Sequence, residues 1–384
     1  MEGRIEGMAT LFEKTRLNGM ELSNRSVRSA TWEGLADPGG FPTDRLTQVY
    51  VDLAKGGVGM IITGHAYVAE EGQAGPLQLG LSRDDHVPSY ERMTEAVHAA
   101  GGTIVAQLAH AGCRAPSRLT GKPPMGPSGS GDEGDTRCRE MTASDILKVK
   151  AAFAGAAARA RKAGFDGVQM HAAHGYLLSQ FLSPLWNRRQ DTYGGPIENR
   201  ALMLLETFRS IRDAVGRDFA VMAKVNCEDF ADGGLTLDDM LAASRMLEQA
   251  GMDAIEMSGG AFSSAPYIPS RTGRAARTPE GAYYAAAARR FKERLRIPLI
   301  LVGGIRSRAA AERLIREGVT DYVAFSRPLI AEPDLIGRWR SGTAERAVCK
   351  SDNLCFKPAF EGRGVCCVTR QRQRGRKSQG VPKQ

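Results

Sequence analysis

Eight short runs of apolar and β-branched residues, separated by longer amphipathic stretches, leave this chain few ways to fold. The runs are Ser26–Thr31, Val58–Thr63, Thr103–Leu108, Asp166–His171, Phe219–Val225, Asp253–Met257, Pro298–Val302 and Asp321–Ser326. Between them lie Ala- and Leu-rich segments with helical periodicity, such as Thr142–Ala163, Asn199–Val215, Leu237–Ala250 and Arg308–Glu317. Several of these close on a glycine (Gly164, Gly251, Gly318), which accepts the left-handed conformation that ends a helix. Strands apolar on both faces need cover on both sides. Eight such strand–helix units predict a parallel (β/α)₈ TIM barrel, with an open doubly wound sheet as the alternative.

The 384 residues, 42% hydrophobic and 25% charged, have the composition of a soluble globular protein. No apolar run reaches the roughly 18 residues needed to span a bilayer, and the N-terminus lacks the apolar core of a signal peptide. The chain is therefore expected to be cytoplasmic and without a membrane partner. The expected layout has a non-native leader at 1–7, a barrel at 8–345, a Cys-containing extension at 346–368 and a basic, disordered tail at 369–384. Of the net charge of +9, that tail carries six positives, and without them the body is only +3. A solvated terminus is the expectation, and nucleic-acid binding is not. Seven cysteines argue against a disulfide framework.

Barrel chemistry collects where strands meet the loops that follow them. Those positions hold Ala30, Thr31 and Trp32; Gly64 and His65; Gln107 and His110; His171 and His174; Lys224 and Asn226; Ser258 and Gly259; Gly303 and Gly304; Ser326 and Arg327. Nearly all are polar or glycine, whereas the strand interiors are not. The stretches 110–141 and 261–279 are long for connections in a compact domain and read as binding loops or lids.

Gly303 and Gly304 let backbone N–H groups approach a phosphate, and Ser326 with Arg327 adds donors one unit later. Lys224, on an otherwise apolar strand, is a charge needed at the mouth, a snorkelling side chain or a Schiff-base nucleophile. Gln107 offers both a donor and an acceptor, which suits an imide edge. Together they point to bound flavin mononucleotide (FMN). His171, His174 and Tyr176 lie within six residues and could hold an oxygen and deliver a proton. A zinc site is the competing reading of His-x-x-His, but no third ligand is evident nearby.

Two segments carry a family resemblance. One is His171-Ala172-Ala173-His174-Gly175-Tyr176-Leu177, continued by Phe181-Leu182-Ser183-Pro184, Asn187-Arg188 and Tyr193 to Arg200. The other is Gln107-Leu108-Ala109-His110-Ala111-Gly112. The chain resembles the Old Yellow Enzyme family of FMN-dependent ene-reductases from about Leu11 to about Val368. The resemblance implies that His171 and His174 bond a substrate carbonyl or nitro oxygen and that Tyr176 protonates the α-carbon. It implies flavin contacts at Ala30, Thr31, Trp32, Gly64, His65, Gln107 and Lys224, and a phosphate site at Gly303, Gly304, Ser326 and Arg327. NAD(P)H is the implied reductant and a small unsaturated compound the implied substrate; a homo-oligomer is left open.

The chain departs from the family pattern in places. Lys224 stands where many members have Arg, and Trp32 where members commonly have Thr or Cys. Cys349, Cys355, Cys366 and Cys367 resemble the cluster-binding segment of the 2,4-dienoyl-CoA reductase branch, but Asp352 occupies the second ligand position. A carboxylate is a poor substitute for thiolate, so free thiols are expected there and no iron–sulfur cluster. Three other functions stay in view. One is a dienoyl-CoA or aromatic acyl-CoA reductase with a cluster and an external electron donor. The second is a tRNA-modifying FMN barrel. The third is a non-enzymatic nucleic-acid-binding role led by the tail.

Overall fold

The computed structural model describes residues 9–129, 138–278 and 281–378, with side chains to 373. Its centre is a closed barrel of eight parallel strands, numbered here in chain order. They are β1 Ser26–Arg28, β2 Met60–Tyr67, β3 Ile104–Ala109, β4 Gly167–Ala172, β5 Ala220–Asn226, β6 Ala254–Ser258, β7 Leu299–Val302 and β8 Tyr322–Phe325. Each pairs with its neighbours in sequence, and β8 returns to β1. The predicted barrel is thus the observed one, and the open-sheet alternative falls. The most displaced boundary belongs to β2, which runs four residues past Thr63 to Tyr67.

The two-residue period of the strands sorts their side chains into two cores. Ile61, Leu108, Val168, Met170, Val221, Val225, Ile255, Leu299, Val323 and Phe325 face the surrounding helices. The other parity fills the barrel with Val27, Met60, Ile62, Val105, Ala220, Met222, Ala254 and Ile300. Leu17, Met20 and Leu22 of an N-terminal hairpin, Thr15–Leu17 with Met20–Leu22, belong to the same inner cluster. The apolar filling stops partway up. Continuing the inner parity, the next positions are Gln107, Gln169, His171, Lys224 and Glu256, so the upper barrel is polar. Register carries this across strands: Gln107 lies opposite Gln169, His171 opposite Lys224, and Lys224 opposite Glu256.

Outside the barrel two expectations fail. Cys113 and Cys138 form a disulfide, whereas the cysteine count argued against a disulfide framework. The strand pair Met125–Gly126 with Arg139–Glu140 folds the long loop back on itself. Gly126 has no side chain to keep the sulfurs away: a Cβ there would lie 2.3 Å from Cys113 Sγ and 3.2 Å from Cys138 Sγ. The basic stretch expected to be disordered is helical over Val368–Ser378. Arg370 donates to the Ala331 carbonyl, and Thr369 Oγ1 donates to Asp352 Oδ2 at 2.7 Å. These contacts anchor the start of a helix that the composition alone does not favour. The leader 1–7 and the last residues of the tail lie outside the described residues.

Among the described residues no helix is long and apolar enough to cross a membrane.

Candidate active site

His171 is the last inward-facing residue of β4, one before its end at Ala172, and the chain then turns tightly. The turn uses two left-handed residues, Gly175 at φ 78° and His174 itself at φ 63°. A non-glycine residue there costs on the order of 1 kcal/mol and persists only when its surroundings hold it. Here the hold is visible: His174 N–H donates to Asn226 Oδ1 at 3.1 Å, and its Nε2 lies 2.7 Å from Ser258 Oγ. Tyr176 follows as the residue capping the helix Leu177–Leu182. The result is a compact cluster of rings. The His171 centroid lies 5.2 Å from that of His174 and 4.7 Å from that of Tyr176. The structure thus brings together the three residues singled out as the reacting group.

Their protonation states follow from burial. Burial, reinforced by neighbouring imidazoles and the Lys224 ammonium, pushes His171 and His174 well below the usual imidazole range. Burial lifts the Tyr176 phenol to about 12. At neutral pH the site therefore holds neutral imidazoles and a protonated phenol. His171 is 4% exposed and its Nδ1 has no hydrogen-bond partner among the described residues, so one polar ring edge is open to a ligand.

The same shifts set an acid limit on stability. A histidine whose folded pKa is depressed contributes fully above its unfolded value near 6.5, and that contribution is lost as pH falls toward the folded value. His65 and His110 both fall to about 4 through burial. Each such group costs up to about 1.4 kcal/mol per pH unit below 6.5. Glu33, lifted to about 7 by burial, works in the opposite direction, as does Glu228, which burial also raises, but the depressed imidazoles outnumber them. Urea unfolding midpoints should therefore drop steeply from pH 7 to pH 5; a flat profile would contradict the buried neutral cluster.

Beneath the rings runs a continuous polar chain. Gln107 Nε2 donates to Gln169 Oε1 at 2.7 Å, and Gln169 Nε2 donates to Glu256 Oε2 at 2.8 Å. Glu256 Oε1 accepts from Ser29 Oγ at 2.6 Å and pairs with Lys224 Nζ at 3.2 Å, while Lys224 Nζ donates to Ser29 Oγ at 2.8 Å. Burial pulls the Lys224 pKa down, and the Glu256 carboxylate opposes that. Sequence reading found Gln107 and Lys224 but missed Gln169, Glu256 and Ser29. It inspected strand ends, whereas the usable signal was a polar residue within an apolar strand at the parity of Lys224.

The remaining expected residues separate into groups. Thr31 Oγ1 lies 2.7 Å from Ser326 Oγ and ties the end of β1 to that of β8. Ala30 packs against the barrel interior. Gly64 spends its N–H on Tyr50 Oη at 3.0 Å, and a Cβ there would lie 2.2 Å from Glu33 Oε2. Glycine is required at 64 for close packing. Trp32 stacks obliquely on Phe360 of the C-terminal extension at 5.2 Å and lines a small cavity with Gly64 and His65. His65, expected as a flavin contact, places its ring 5.4 Å from that of Tyr176.

At the opposite side, Gly303 and Gly304 have φ of 112° and 84°, and the Tyr283 ring lies against both. Arg327 Nη1 donates to the Arg271 carbonyl at 2.9 Å and to Asn353 Oδ1 at 2.6 Å. Arg271, which sequence reading missed, sits among Phe230, Tyr267, Tyr283 and Tyr284. Among the described residues its Nε and Nη2 are buried without a hydrogen-bond partner. Buried donors without acceptors are costly unless a ligand supplies them. These residues fit FMN: Gln107 and Lys224 can meet an imide edge, and Arg271 with Arg327 can meet a phosphate.

The C-terminal thiols are only partly grouped. Cys349, Cys355 and Cys367 line one small cavity with Asp352 and Arg327, while Cys366 turns to Gln371. The Asp352 carboxylate is spent on Leu354 N–H and Thr369 Oγ1. Burial pushes the Cys355 thiol up to about 12. Among the described residues no group of three or more His, Cys, Asp or Glu side chains is positioned for a metal ion.

Comparison with known proteins bears on the whole barrel. The profile of the NADH:flavin oxidoreductase / NADH oxidase family matches residues 10–346. An NADH oxidase of Thermoanaerobacter brockii is 37% identical over 350 residues, covering 90% of this chain and 53% of that protein. An NADPH dehydrogenase of Listeria welshimeri is 36% identical over 266 residues, covering 68% of this chain and 77% of the relative. The solved structure of an old yellow enzyme homologue from Zymomonas mobilis superposes with a TM-score of 0.76 at 25% identity, covering 94% of this chain and 98% of that one. The chain spans about half the length of the first of these relatives. The barrel and the family profile agree, and the chain belongs to the NADH:flavin oxidoreductase / NADH oxidase family, the group that includes Old Yellow Enzyme.

Proposed function

We propose that this protein reduces the activated C=C bond of α,β-unsaturated carbonyl or nitro compounds, with NAD(P)H as reductant, in a ping-pong cycle. The observation that carries the reading is the convergence of His171, His174 and Tyr176, two neutral imidazoles and one protonated phenol. FMN, when bound, supplies the hydride chemistry.

The chain's own residues account for the rest. Neutral imidazole N–H groups from His171 and His174 hold the substrate oxygen as negative charge grows on it. Donors fixed in advance contribute about 3–4 kcal/mol each by analogy with oxyanion holes. Asn226 and Ser258 hold His174 in its left-handed turn, so this donor is oriented before substrate arrives. Tyr176, kept protonated by burial, delivers its proton to the α-carbon. Lys224 keeps a positive charge below the site, with Glu256 and Ser29 fixing its position.

The test is direct. Purified protein should take up FMN and show flavin absorbance that NAD(P)H bleaches and a cyclic enone or nitroalkene restores. A phenol should perturb the oxidised spectrum by occupying the oxygen site. Protein that stays colourless after incubation with FMN, or whose bleached form no enone or nitroalkene reoxidises, refutes the proposal.

A further inference from the structure

Tyr176 can protonate a second substrate molecule only after it has regained a proton, and one neighbour is placed to return it. Tyr176 is 9% exposed, and His65 Nε2 at 3.4 Å is the hydrogen-bond partner its hydroxyl has among the described residues. His65 owes this position to an irregularity in β2. Met60 and Ile62 face the barrel interior, and Ile61 faces the helices. Strict alternation would turn Gly64 inward and His65 outward. The register between β2 and β3 shifts between Ile62 and His65, which reverses the phase and aims the imidazole into the mouth. His65 also differs from His171 in exposure: it is partly open to solvent, whereas His171 is buried. One ring therefore reaches the buried phenol and remains accessible from outside.

We propose that His65 is the proton relay that reloads Tyr176 between turnovers, an inference that rests on the alkene-reduction reading above. The phenol O–H bond breaks as the new C–H bond forms on the substrate. The His65 Nε2–H bond then breaks as the phenolate oxygen takes its proton, and Nδ1 takes one from water; exchange with solvent, a proton gained at Nε2 and one lost from Nδ1, restores the starting tautomer before the next turnover, so the ring ends each cycle neutral. One proton enters from solvent for each alkene reduced, and no electrons move in the relay. Tyr176 and His171 face His65 from the β4 side, and the Lys224 charge acts on it from β5. With burial, that charge keeps the imidazole neutral, so it hands the proton on instead of retaining it.

The distinguishing measurement compares single and multiple turnovers of the FMN-loaded protein. The first turnover uses the proton already on Tyr176, and only later ones need the relay. In His65→Gln, which keeps hydrogen bonding but cannot shuttle a proton, single-turnover oxidation should lose clearly less than steady-state turnover does. Its steady-state turnover should fall on the order of tenfold, a fraction of what a positioned proton-transfer group contributes. Imidazole added to His65→Ala should restore turnover in proportion to its concentration. An unchanged steady-state rate in His65→Gln, or an equal loss in both regimes, overturns the relay. Imidazole without effect on His65→Ala also counts against it. Nitrogen NMR of labelled histidines gives a readout independent of turnover. The His65 Nε2 resonance should move on Tyr176→Phe, and no movement refutes the contact. If Tyr176→Phe itself leaves substrate reduction unimpaired, the underlying reading fails instead of the relay.

Discussion

Tyr176→Phe is expected to slow substrate reduction by about 10²–10⁴-fold while leaving reduction by NAD(P)H within about twofold. The asymmetry follows from where the hydroxyl acts. Hydride arriving from a nicotinamide needs no proton from the protein, whereas a reduced alkene must gain one at its α-carbon. The substitution removes one oxygen from a ring that keeps its packing against His171, so the fold should survive. Stopped-flow measurement of the two half-reactions separates the effects. Equal losses in both would remove Tyr176 from its role and point to a disturbed flavin site. The high phenol pKa, about 12 through burial, makes the prediction insensitive to pH across the neutral range.

Replacing Glu256 should produce the largest loss of stability. Glu256 is fully buried and pairs with Lys224, whose side chain is 3% exposed. Removing one partner of a buried ion pair typically costs about 3–5 kcal/mol, because the other charge is left uncompensated. Glu256→Ala also strips the acceptor from Gln169 Nε2 and frees Ser29 Oγ, so the polar chain loses its centre. Urea denaturation at neutral pH should show a loss of that size. The pH dependence has a definite sign. Burial already lowers the Lys224 pKa, and without Glu256 it falls further. Below the folded pKa the variant must bury a bare ammonium; above it the amine is neutral and the penalty fades. The gap between variant and parent should therefore narrow as pH rises toward 10. A loss under about 1 kcal/mol at pH 7 would show that the pair is not structurally coupled.

The barrel was legible because its cause is periodic and repeated. Apolar runs such as Val58–Thr63 and Pro298–Val302 can be buried only inside a sheet covered on both faces, and helical stretches between them supply that cover. The reacting trio was legible for a different reason: His171, His174 and Tyr176 lie within six residues of one strand end, so the chain itself brings them together. Less legible was anything that depends on phase within a strand. His65 stood at a strand end, yet whether its side chain or only its backbone faced the mouth turned on one register shift in β2. Gln169 and Glu256 sit inside strands taken as uniformly apolar, and nothing local shows that they share a layer with Lys224.

The disulfide shows the same limit. Cys113 and Cys138 are 25 residues apart, and their pairing depends on a two-residue strand contact across the loop that returns one to the other. The C-terminal helix shows it again, since Thr369 and Arg370 meet partners at Asp352 and Ala331.

From the sequence alone came the barrel, the order of its strands and the chemistry gathered at the end of β4, because local periodicity and short-range spacing dictate each of them. Only the tertiary structure decided which inward residues share a layer, which imidazole reaches Tyr176, and how Arg327 is tied to Asn353. Those contacts join residues far apart in the chain. Their geometry depends on barrel closure and inter-strand register, and no stretch of sequence encodes either by itself.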